Sequence, residues 1–215
     1  MVSMKVLSNH DEWLKARTKI GGSDASAILG LNPYKNNVEL FYDKAYGAEP
    51  EDISDKPYVK YGTEAEKHLR ELFKLDYPQF KVDYVENNIW FNDKYPWAHA
   101  SLDGWLTDHD GRMGVWECKT TNILQSRQKE KWDHKIPDNY YIQVLHYLMV
   151  TEFDFVVLKA QLKSDFGGDV YIQTKHYLIE RSEVEEDIAY LIEAERRFWE
   201  HVEAKREPPL KLPDI

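Results

Sequence analysis

The chain has 215 residues, with 28 Lys and Arg against 38 Asp and Glu, so its formal net charge at pH 7 is −10. This balance argues against broad nonspecific adhesion to nucleic acid, although a local basic groove can still bind it. The single cysteine excludes an internal disulfide and any zinc or iron–sulfur site that needs four cysteines of one chain. No apolar stretch is long enough for a signal peptide or a membrane span, so we expect a cytoplasmic protein without membrane contact.

The first third of the chain is predicted to be helical. SNHDEWLKAR, residues 8–17, combines a capping Ser or Asn with early acids and late bases. In IGGSDASAILGLNPY, two glycines turn the chain, Ser23 or Asp24 caps a short helix, and Gly30 ends it. Helical patterns also cover residues 37–46 and 61–76, the second with apolar residues at clear helical spacing.

Strand-type segments follow, and they indicate a central sheet. Strands are predicted at 80–85, 87–91, 97–107, 113–120, 153–162 and 169–179. The turn DHDGR makes a β-meander of the earlier segments, and a Gly-Gly turn joins the last two. Helices are predicted at about 137–150 and 182–205. We therefore predict one mixed α/β domain over residues 1–215, with a central mixed sheet flanked by helices.

The stretch VWECKTTN sets an acid and a base on one face of a strand. Alternate strand residues share a face, so Glu117 and Lys119 point the same way. Cys118 points into the opposite layer, which makes it a core residue and a poor candidate nucleophile. The acid-x-Lys pattern also occurs at residues 133–135 and 203–205, but only the first copy ends an apolar strand. Context therefore selects the first copy.

Asp103, in SLDGW, supplies a second carboxylate. A hairpin that folds back around DHDG brings Asp103 beside Glu117, and two adjacent carboxylates repel unless a cation or proton lies between them. Oxygen ligands of this kind suit Mg²⁺ or Mn²⁺, and Lys119 is placed to orient a water bound to such an ion. A turn Asp with an ordinary Glu–Lys pair explains the same spacing, and the spacing alone does not choose between the two.

Five motifs in a fixed order add a family resemblance. IGGSDASAILGLNPY, YGTEAE, ASLDG, WECK and YYIQVLHYLMVT together resemble the phage lambda exonuclease and YqaJ-like viral recombinase family, within the PD-(D/E)xK nuclease superfamily. The resemblance covers about residues 13–162 and fades in the C-terminal strand and long helix at 165–207. It implies a restriction-endonuclease-like core and a metal-dependent nuclease.

The resemblance also implies a set of catalytic and metal-binding residues. Asp103 and Glu117 hold the metal ion, assisted by the backbone carbonyl of Cys118, and Lys119 serves the attacking water. In YGTEAE, the family glutamate falls on Glu66, which becomes a further catalytic residue and possible metal ligand.

The resemblance also implies a second group of residues, which bind the substrate. The family glutamine falls on Gln143, with Tyr147 one turn later on the same helix face, although a polar residue at a helix edge also explains Gln143. Ser23 follows two glycines at a helix N-terminus, and in similar nucleases the equivalent serine contacts a phosphate. Arg17 and Lys19, just upstream, are candidates to support it.

Several of these residues also have an ordinary structural explanation. Glu66 stands four residues before Arg70, so a helical ion pair explains it. Ser23 is a common type of helix cap. His99 shares the strand parity of Asp103 and is either an additional ligand or a hydrogen-bonded structural histidine, and the second interpretation is favoured.

The activity implied by the resemblance is an exonuclease that uses Mg²⁺, or Mn²⁺ in its place. It degrades linear double-stranded DNA from its 5′ ends and leaves 3′ tails for a single-strand annealing protein. No G-x-x-x-x-G-K-[ST] loop is present, so no ATP-driven movement is expected, and similar enzymes form rings of three subunits. The alternatives are a structure- or sequence-directed endonuclease of the same fold and an inactive DNA-binding module. A phage or prophage origin in a bacterial host fits this reading.

Overall fold

The computed structural model describes residues 1–47, 53 and 55–212. The helices are α1 His10–Ala16, α2 Gly22–Ile28, α3 Asn37–Tyr46, α4 Pro57–Asp76, α5 Ser126–Glu130, α6 Asp138–Thr151 and α7 Glu185–Glu203. The strands are β1 Val2–Val6, β2 Lys81–Asp83, β3 Asn88–Asn92, β4 Gly104–Thr107, β5 Met113–Asn122, β6 Phe155–Phe166 and β7 Asp169–Glu180.

A five-stranded mixed sheet forms the centre of the fold, in the order β2-β4-β5-β6-β7. Strands β5 and β6 run parallel, which the crossover through α6 allows, and the other neighbours are antiparallel. Helix α4 covers one face of the sheet with Leu69 and Phe73, while α6 and α7 cover the other. The predicted mixed sheet flanked by helices is confirmed.

The predicted β-meander is wrong in its pairing. Strand β3 pairs with β1 in a separate two-stranded ribbon. The sequence did not predict strand β1. The strand expected at 97–107 is confined to Gly104–Thr107, because residues 98 and 100 make only isolated bridges, to Ile20 and Trp90. The segment before β4 therefore connects the ribbon, the start of α2 and the central sheet.

The start of α2 also differs from prediction. Gly21, not Ser23 or Asp24, occupies the N-cap position. Asp24 is the third helical residue, and its Oδ2 accepts a hydrogen bond from the Gly21 N–H at 3.0 Å. Because an N3 carboxylate satisfies the free N–H ahead of the helix, Asp24 stabilises this helix start from inside the first turn. Ser23 is therefore the second residue of the helix and not its cap.

Other local predictions agree with the structure. The hairpin β6–β7 turns at Gly167 and Gly168, both with positive φ, as the Gly-Gly pair requires. Helix α6 begins directly after Pro137, whereas α7 begins only after a 3₁₀ turn at Arg181–Glu183. Among the helices that the structure describes, none combines the length and the apolar character needed to cross a bilayer.

Candidate active site

The β4–β5 hairpin brings two carboxylates together. Gly104 lies opposite Trp116 in this pair of strands, so Asp103 extends the register to the position across from Glu117. The Asp103 Oδ2 accepts a hydrogen bond from the backbone N–H of Cys118 at 3.0 Å. Burial is the main cause that raises the pKa of Asp103 above its ordinary value. The turn at the other end of the hairpin thus sets the spacing of two acids.

Glu117 lies at the centre of the hydrogen-bonded group. Its side chain is 1 % exposed, and its Oε1 accepts from Lys119 Nζ at 2.6 Å and from Gln143 Nε2 at 3.1 Å. Its Oε2 is buried and has no hydrogen-bond partner among the described residues. Burial and the neighbouring Asp103 charge raise the pKa of Glu117 to about 8. This carboxyl group therefore stays protonated near neutral pH unless a bound cation replaces the proton.

Glu66 reaches the same carboxylates from helix α4. Arg70 Nη1 donates to Glu66 Oε1 at 2.8 Å and to the backbone carbonyl of Asp103 at 2.6 Å. Burial and the charge of Asp103 raise the pKa of Glu66 to about 7, against the opposing effect of Arg70. The i,i+4 ion pair is therefore present, and it also ties Glu66 to the hairpin.

Lys119 is the cation of the group. Burial is the largest single effect and lowers the pKa of its ammonium group, but the charges of Glu117, Tyr147 and Asp103 together outweigh it and raise that pKa above its ordinary value. The Nζ also lies 4.9 Å from the centre of the Tyr140 ring. Lys119 therefore stays charged, and together with Arg70 it offsets part of the negative charge of the three carboxyl groups.

Cys118 faces the other side of the sheet, as strand alternation requires. It packs against the cluster of Leu69, Phe73 and Trp116 between the sheet and α4. Burial is the first cause that raises the pKa of its thiol far above the ordinary value, so the thiolate is not formed near neutral pH. The side chain belongs to the core and not to the site.

Helices α2 and α6 meet closely beside these residues. Gln143 Nε2 donates to the Tyr147 hydroxyl at 2.7 Å as well as to Glu117. A Cβ at Gly22 would lie 2.5 Å from Cε1 of Tyr147 and 3.1 Å from Cγ of Gln143. Only glycine fits there, so the second glycine of IGG permits the helix contact that holds Gln143 on Glu117.

A cavity of about 410 Å³ opens next to the carboxylates. Seven of the residues that the sequence singled out line it, namely Arg17, Ser23, Glu66, His99, Asp103, Gln143 and Tyr147. Glu117 lies behind this wall, where the lining residue Gln143 donates to it. Side chains that the sequence did not single out complete its wall, among them Trp13, Thr63, Tyr84 and Ser101. These come from separate elements, and no local pattern marks them.

Arg17 and Lys19 point to different places. The Arg17 guanidinium stacks 4.2 Å from the Trp13 ring centre, and its buried Nε has no partner among the described residues. Lys19 instead lies 5.8 Å from the Phe91 ring centre, in a separate groove with Lys5. The structure therefore places Arg17 at the cavity with Ser23 and places Lys19 in a different groove.

His99 lines the cavity, and its ring is not hydrogen-bonded to the described part of the chain. The side chain is 2 % exposed, and neither ring nitrogen has a partner there. Burial and then the Arg17 charge lower the pKa of His99 to about 3, so the ring is neutral. The expectation of a hydrogen-bonded structural histidine is wrong for the ring, since only the backbone of His99 is bonded.

A second acidic group occupies the β4–β5 turn. Single ligand atoms of Asp108, His109 and Asp110 lie within 4.8 Å of one another. The Asp108 carboxylate, however, accepts from the backbone of Asp110 and Arg112 and from Arg112 Nε at 2.8 Å. Its oxygens hold the turn, at the end of β4 away from Asp103.

The donor set at the cavity fits a hard divalent cation. It offers carboxylate oxygens from Glu66, Asp103 and Glu117, and the buried Oε2 of Glu117 has no other partner among the described residues. The three acids lie beside Lys119 and Arg70, and burial together with their mutual repulsion raises the pKa values of Glu66 and Glu117. Mg²⁺ and Mn²⁺ prefer such oxygen ligands.

The PD-(D/E)xK class of fold is defined by a mixed sheet flanked by helices that carries acids and a lysine on paired strands, as Asp103, Glu117 and Lys119 are placed here. Solved structures agree. An alkaline exonuclease, LHK-Exo from Laribacter hongkongensis, superposes with a TM-score of 0.63 at 18 % identity, over 91 % of this chain and 94 % of that one. A phage related exonuclease from Haemophilus somnus 129PT gives 0.54 at 13 % identity, over 87 % of this chain and 96 % of that one.

Sequence comparison identifies the family. The YqaJ-like viral recombinase domain matches residues 12–154. Protein YqaJ of Bacillus subtilis (strain 168) is 33 % identical over 192 residues, which are 89 % of this chain and 56 % of the relative. The chain belongs to the YqaJ-like viral recombinase domain family, and it spans about half the length of this curated relative.

Proposed function

We propose that the chain is a metal-dependent deoxyribonuclease that degrades linear double-stranded DNA from its 5′ ends without ATP and leaves 3′ single-stranded tails. The observation that carries the proposal is that Glu66, Asp103, Glu117 and Lys119 form one group of interacting charges, of which Glu66 and Asp103 line the cavity. Carboxylates that repel one another beside a fixed ammonium suit metal-assisted phosphodiester hydrolysis.

The comparisons support the same class of reaction. The family is named for viral recombinases, and the exonuclease LHK-Exo was also solved in complex with dAMP, with a TM-score of 0.62 at 16 % identity. A deoxynucleoside monophosphate is the type of product that an exonuclease releases. For this chain, we infer a cavity of sufficient size for a terminal nucleotide, at about 410 Å³.

Asp103 and Glu117 would hold Mg²⁺, or Mn²⁺, with the Cys118 carbonyl and Glu66 as further ligands. When bound, the ion polarises the phosphate and lowers the pKa of a coordinated water. Gln143 keeps Glu117 in place through Oε1 and leaves Oε2 free for the ligand role.

The remaining polar residues bind the substrate. Lys119 stays charged and stabilises negative charge that develops on the phosphate. Ser23, Arg17 and Tyr147 line the same cavity, and Arg17 brings a buried N–H that has no partner in the described part of the chain. These three groups suit the terminal phosphate or the nucleotide next to it.

We extend this function to the oligomeric state of the protein and its place in the cell. A ring of three copies around DNA would supply processivity without ATP, and it would place basic residues inside and the net charge of −10 outside. The 3′ tails would pass to a single-strand annealing protein in the cytoplasm of a bacterial host. Residues 1–215 would act as one nuclease domain.

An end-labelled linear duplex and a covalently closed circle test this function. With Mg²⁺, we expect the label at the 5′ end to be released first from the linear duplex and the circle to stay intact. Excess chelator is expected to stop the reaction. Equal cleavage of the circle would favour the endonuclease, and activity in chelator would rule out the metal-dependent mechanism. No cleavage of either substrate would favour a DNA-binding module.

A further inference from the structure

A buried ion pair joins the C-terminal helix to the helix that carries Gln143. His146 on α6 and Glu195 on α7 are both fully buried, and the His146 Nδ1 lies 2.7 Å from Glu195 Oε1. Glu195 lies beyond the residues that the family match covers, 12–154. Burying an ionisable pair costs free energy that burying an apolar pair would not. The presence of such a pair between two helices therefore calls for a reason beyond packing.

In the described part of the chain, the hydrogen bonds from this pair to other side chains and loops go to Trp97 and His99. The His146 Nε2 lies 2.8 Å from the backbone carbonyl of His99, which only accepts, so Nε2 donates. Trp97 Nε1 donates to the Glu195 Oε2 at 3.3 Å. A second proton lies between His146 Nδ1 and Glu195 Oε1. The pair therefore holds segment 97–99 at both ends, Glu195 through Trp97 and His146 through His99.

The gripped segment forms part of the cavity wall. Ile20 N donates to the Trp97 carbonyl and His99 N donates to the Ile20 carbonyl, each at 2.9 Å. Ile20 directly precedes the glycines that start α2. The His99 ring lies against that start, since its Nε2 is 3.2 Å from the position of a Cβ on Gly21. Four residues after His99 comes Asp103.

We propose that Glu195 and His146 are positioning residues, which hold segment 97–99 so that His99 and the start of α2 keep their place against Asp103 and Glu117. The catalytic effect rests on the proposed nuclease function, whereas the structural effect does not. Glu195 and His146 touch no substrate. Their loss acts through the geometry of the cavity, where a displacement of about 1 Å can slow a reaction by about a hundredfold.

Three variants of α7 separate positioning from packing. In Glu195→Gln, the amide nitrogen can donate to Nδ1 of a neutral His146 while the amide oxygen accepts from Trp97, so both hydrogen bonds of residue 195 are kept. Glu195→Leu removes both hydrogen bonds. Leu191→Ala is the matched control, because Leu191 lies one turn earlier on the same helix, is fully buried, and has an apolar side chain.

Two measurements are made on each full-length variant. The first is the side-chain NMR signal of His99, recorded without metal, which reports its position whether or not the protein is a nuclease. The second is kcat and KM on a linear duplex with Mg²⁺. We expect Glu195→Leu to shift the His99 signal and to lower kcat by about tenfold or more with KM little changed. Glu195→Gln is expected to leave the His99 signal and kcat near those of the wild type. Leu191→Ala is expected to lower the melting temperature but not kcat.

The proposal is overturned if Glu195→Leu leaves the His99 signal in place, or if Leu191→Ala lowers kcat as much as Glu195→Leu does. If Glu195→Leu does not fold, Trp97→Phe replaces it, because this change removes one N–H and keeps the aromatic packing. A shifted His99 signal then supports the proposal, and an unchanged one contradicts it. A wild-type chain without nuclease activity would remove the proposed function, while the His99 signal would still decide the positioning role.

Discussion

The Asp103 Oδ2 accepts a hydrogen bond from the backbone N–H of Cys118, 3.0 Å away, and this contact fixes the carboxylate next to Glu117. The bond connects the residue before β4 to the middle of β5, so the hairpin register sets the distance between two acids. Glu117 in turn is held by Lys119 and Gln143. The site therefore depends on backbone pairing more than on flexible side chains.

Asp103→Asn is expected to weaken Mn²⁺ binding by about tenfold or more, because it removes one charged ligand from the proposed set. Titration calorimetry or Mn²⁺ electron paramagnetic resonance measures this without DNA. Asp108→Asn serves as the control, since that carboxylate is occupied by the turn and by Arg112. Equal loss of Mn²⁺ in the two variants would place the metal elsewhere.

Stability without metal is expected to fall as the pH rises. The folded protein holds protons on Glu117 and Glu66 up to pKa values of about 8 and about 7, above the 4.5 of an ordinary Glu side chain. Their stabilising contribution is complete below pH 4.5 and is lost as the pH rises through 8. Between pH 5 and 9, the melting temperature in chelator should drop by roughly 5–10 °C on their account.

Glu117→Gln isolates this effect. The amide does not titrate, so the variant should show a shallower fall in melting temperature over the same pH range than the wild type. Calorimetric scans of both proteins in chelator provide the comparison. Parallel curves for the two proteins would mean that Glu117 is not the group that titrates.

Gly22→Ala is expected to destabilise the fold by about 1–3 kcal/mol, because the added Cβ meets the Tyr147 ring at 2.5 Å. The same collision should move Gln143 off Glu117 and lower nuclease activity. Gly62→Ala is a matched change in α4, where the nearest atom is a Thr120 hydroxyl at 3.2 Å. Urea unfolding and DNA digestion of both variants test this, and equal behaviour would contradict the close-packing argument.

Cys118→Ala is expected to leave nuclease activity within about twofold and to cost roughly 1 kcal/mol of stability, since the side chain only fills the core beside α4. Chemical unfolding and initial digestion rates measure the two effects separately. A large loss of activity in a variant that is still folded would give the thiol a role that its orientation does not explain.

Sequence patterns predicted much of this arrangement. The DHDGR turn and strand alternation were sufficient to put Asp103 across from Glu117 and to turn Cys118 away. The family motifs, and no periodicity, pointed to Glu66 and Gln143, which the structure brings to the same cavity. Local signals work here because the hairpin is a local structure.

The predictions that were wrong concern irregular or long-range contacts. Residues 97–103 have strand-like composition, but they link three elements by isolated bridges and so form no continuous strand. The sequence named both Arg17 and Lys19 as candidates and could not foresee their separation, because a non-helical turn after α1 has no fixed period. The contact of Glu195 with His146 spans 49 positions along the chain, and no sequence pattern marks it.

The most direct test of the proposed function compares two lysines in the same acid-x-Lys pattern, Lys119→Ala and Lys135→Ala. Lys135 follows Asp133 and His134 in an exposed part of the chain, whereas Lys119 is bonded to Glu117. Initial rates of linear duplex digestion with Mg²⁺ should fall by about a hundredfold or more for Lys119→Ala and stay near wild type for Lys135→Ala. A folded Lys119→Ala variant that digests DNA at the wild-type rate would contradict the proposed site.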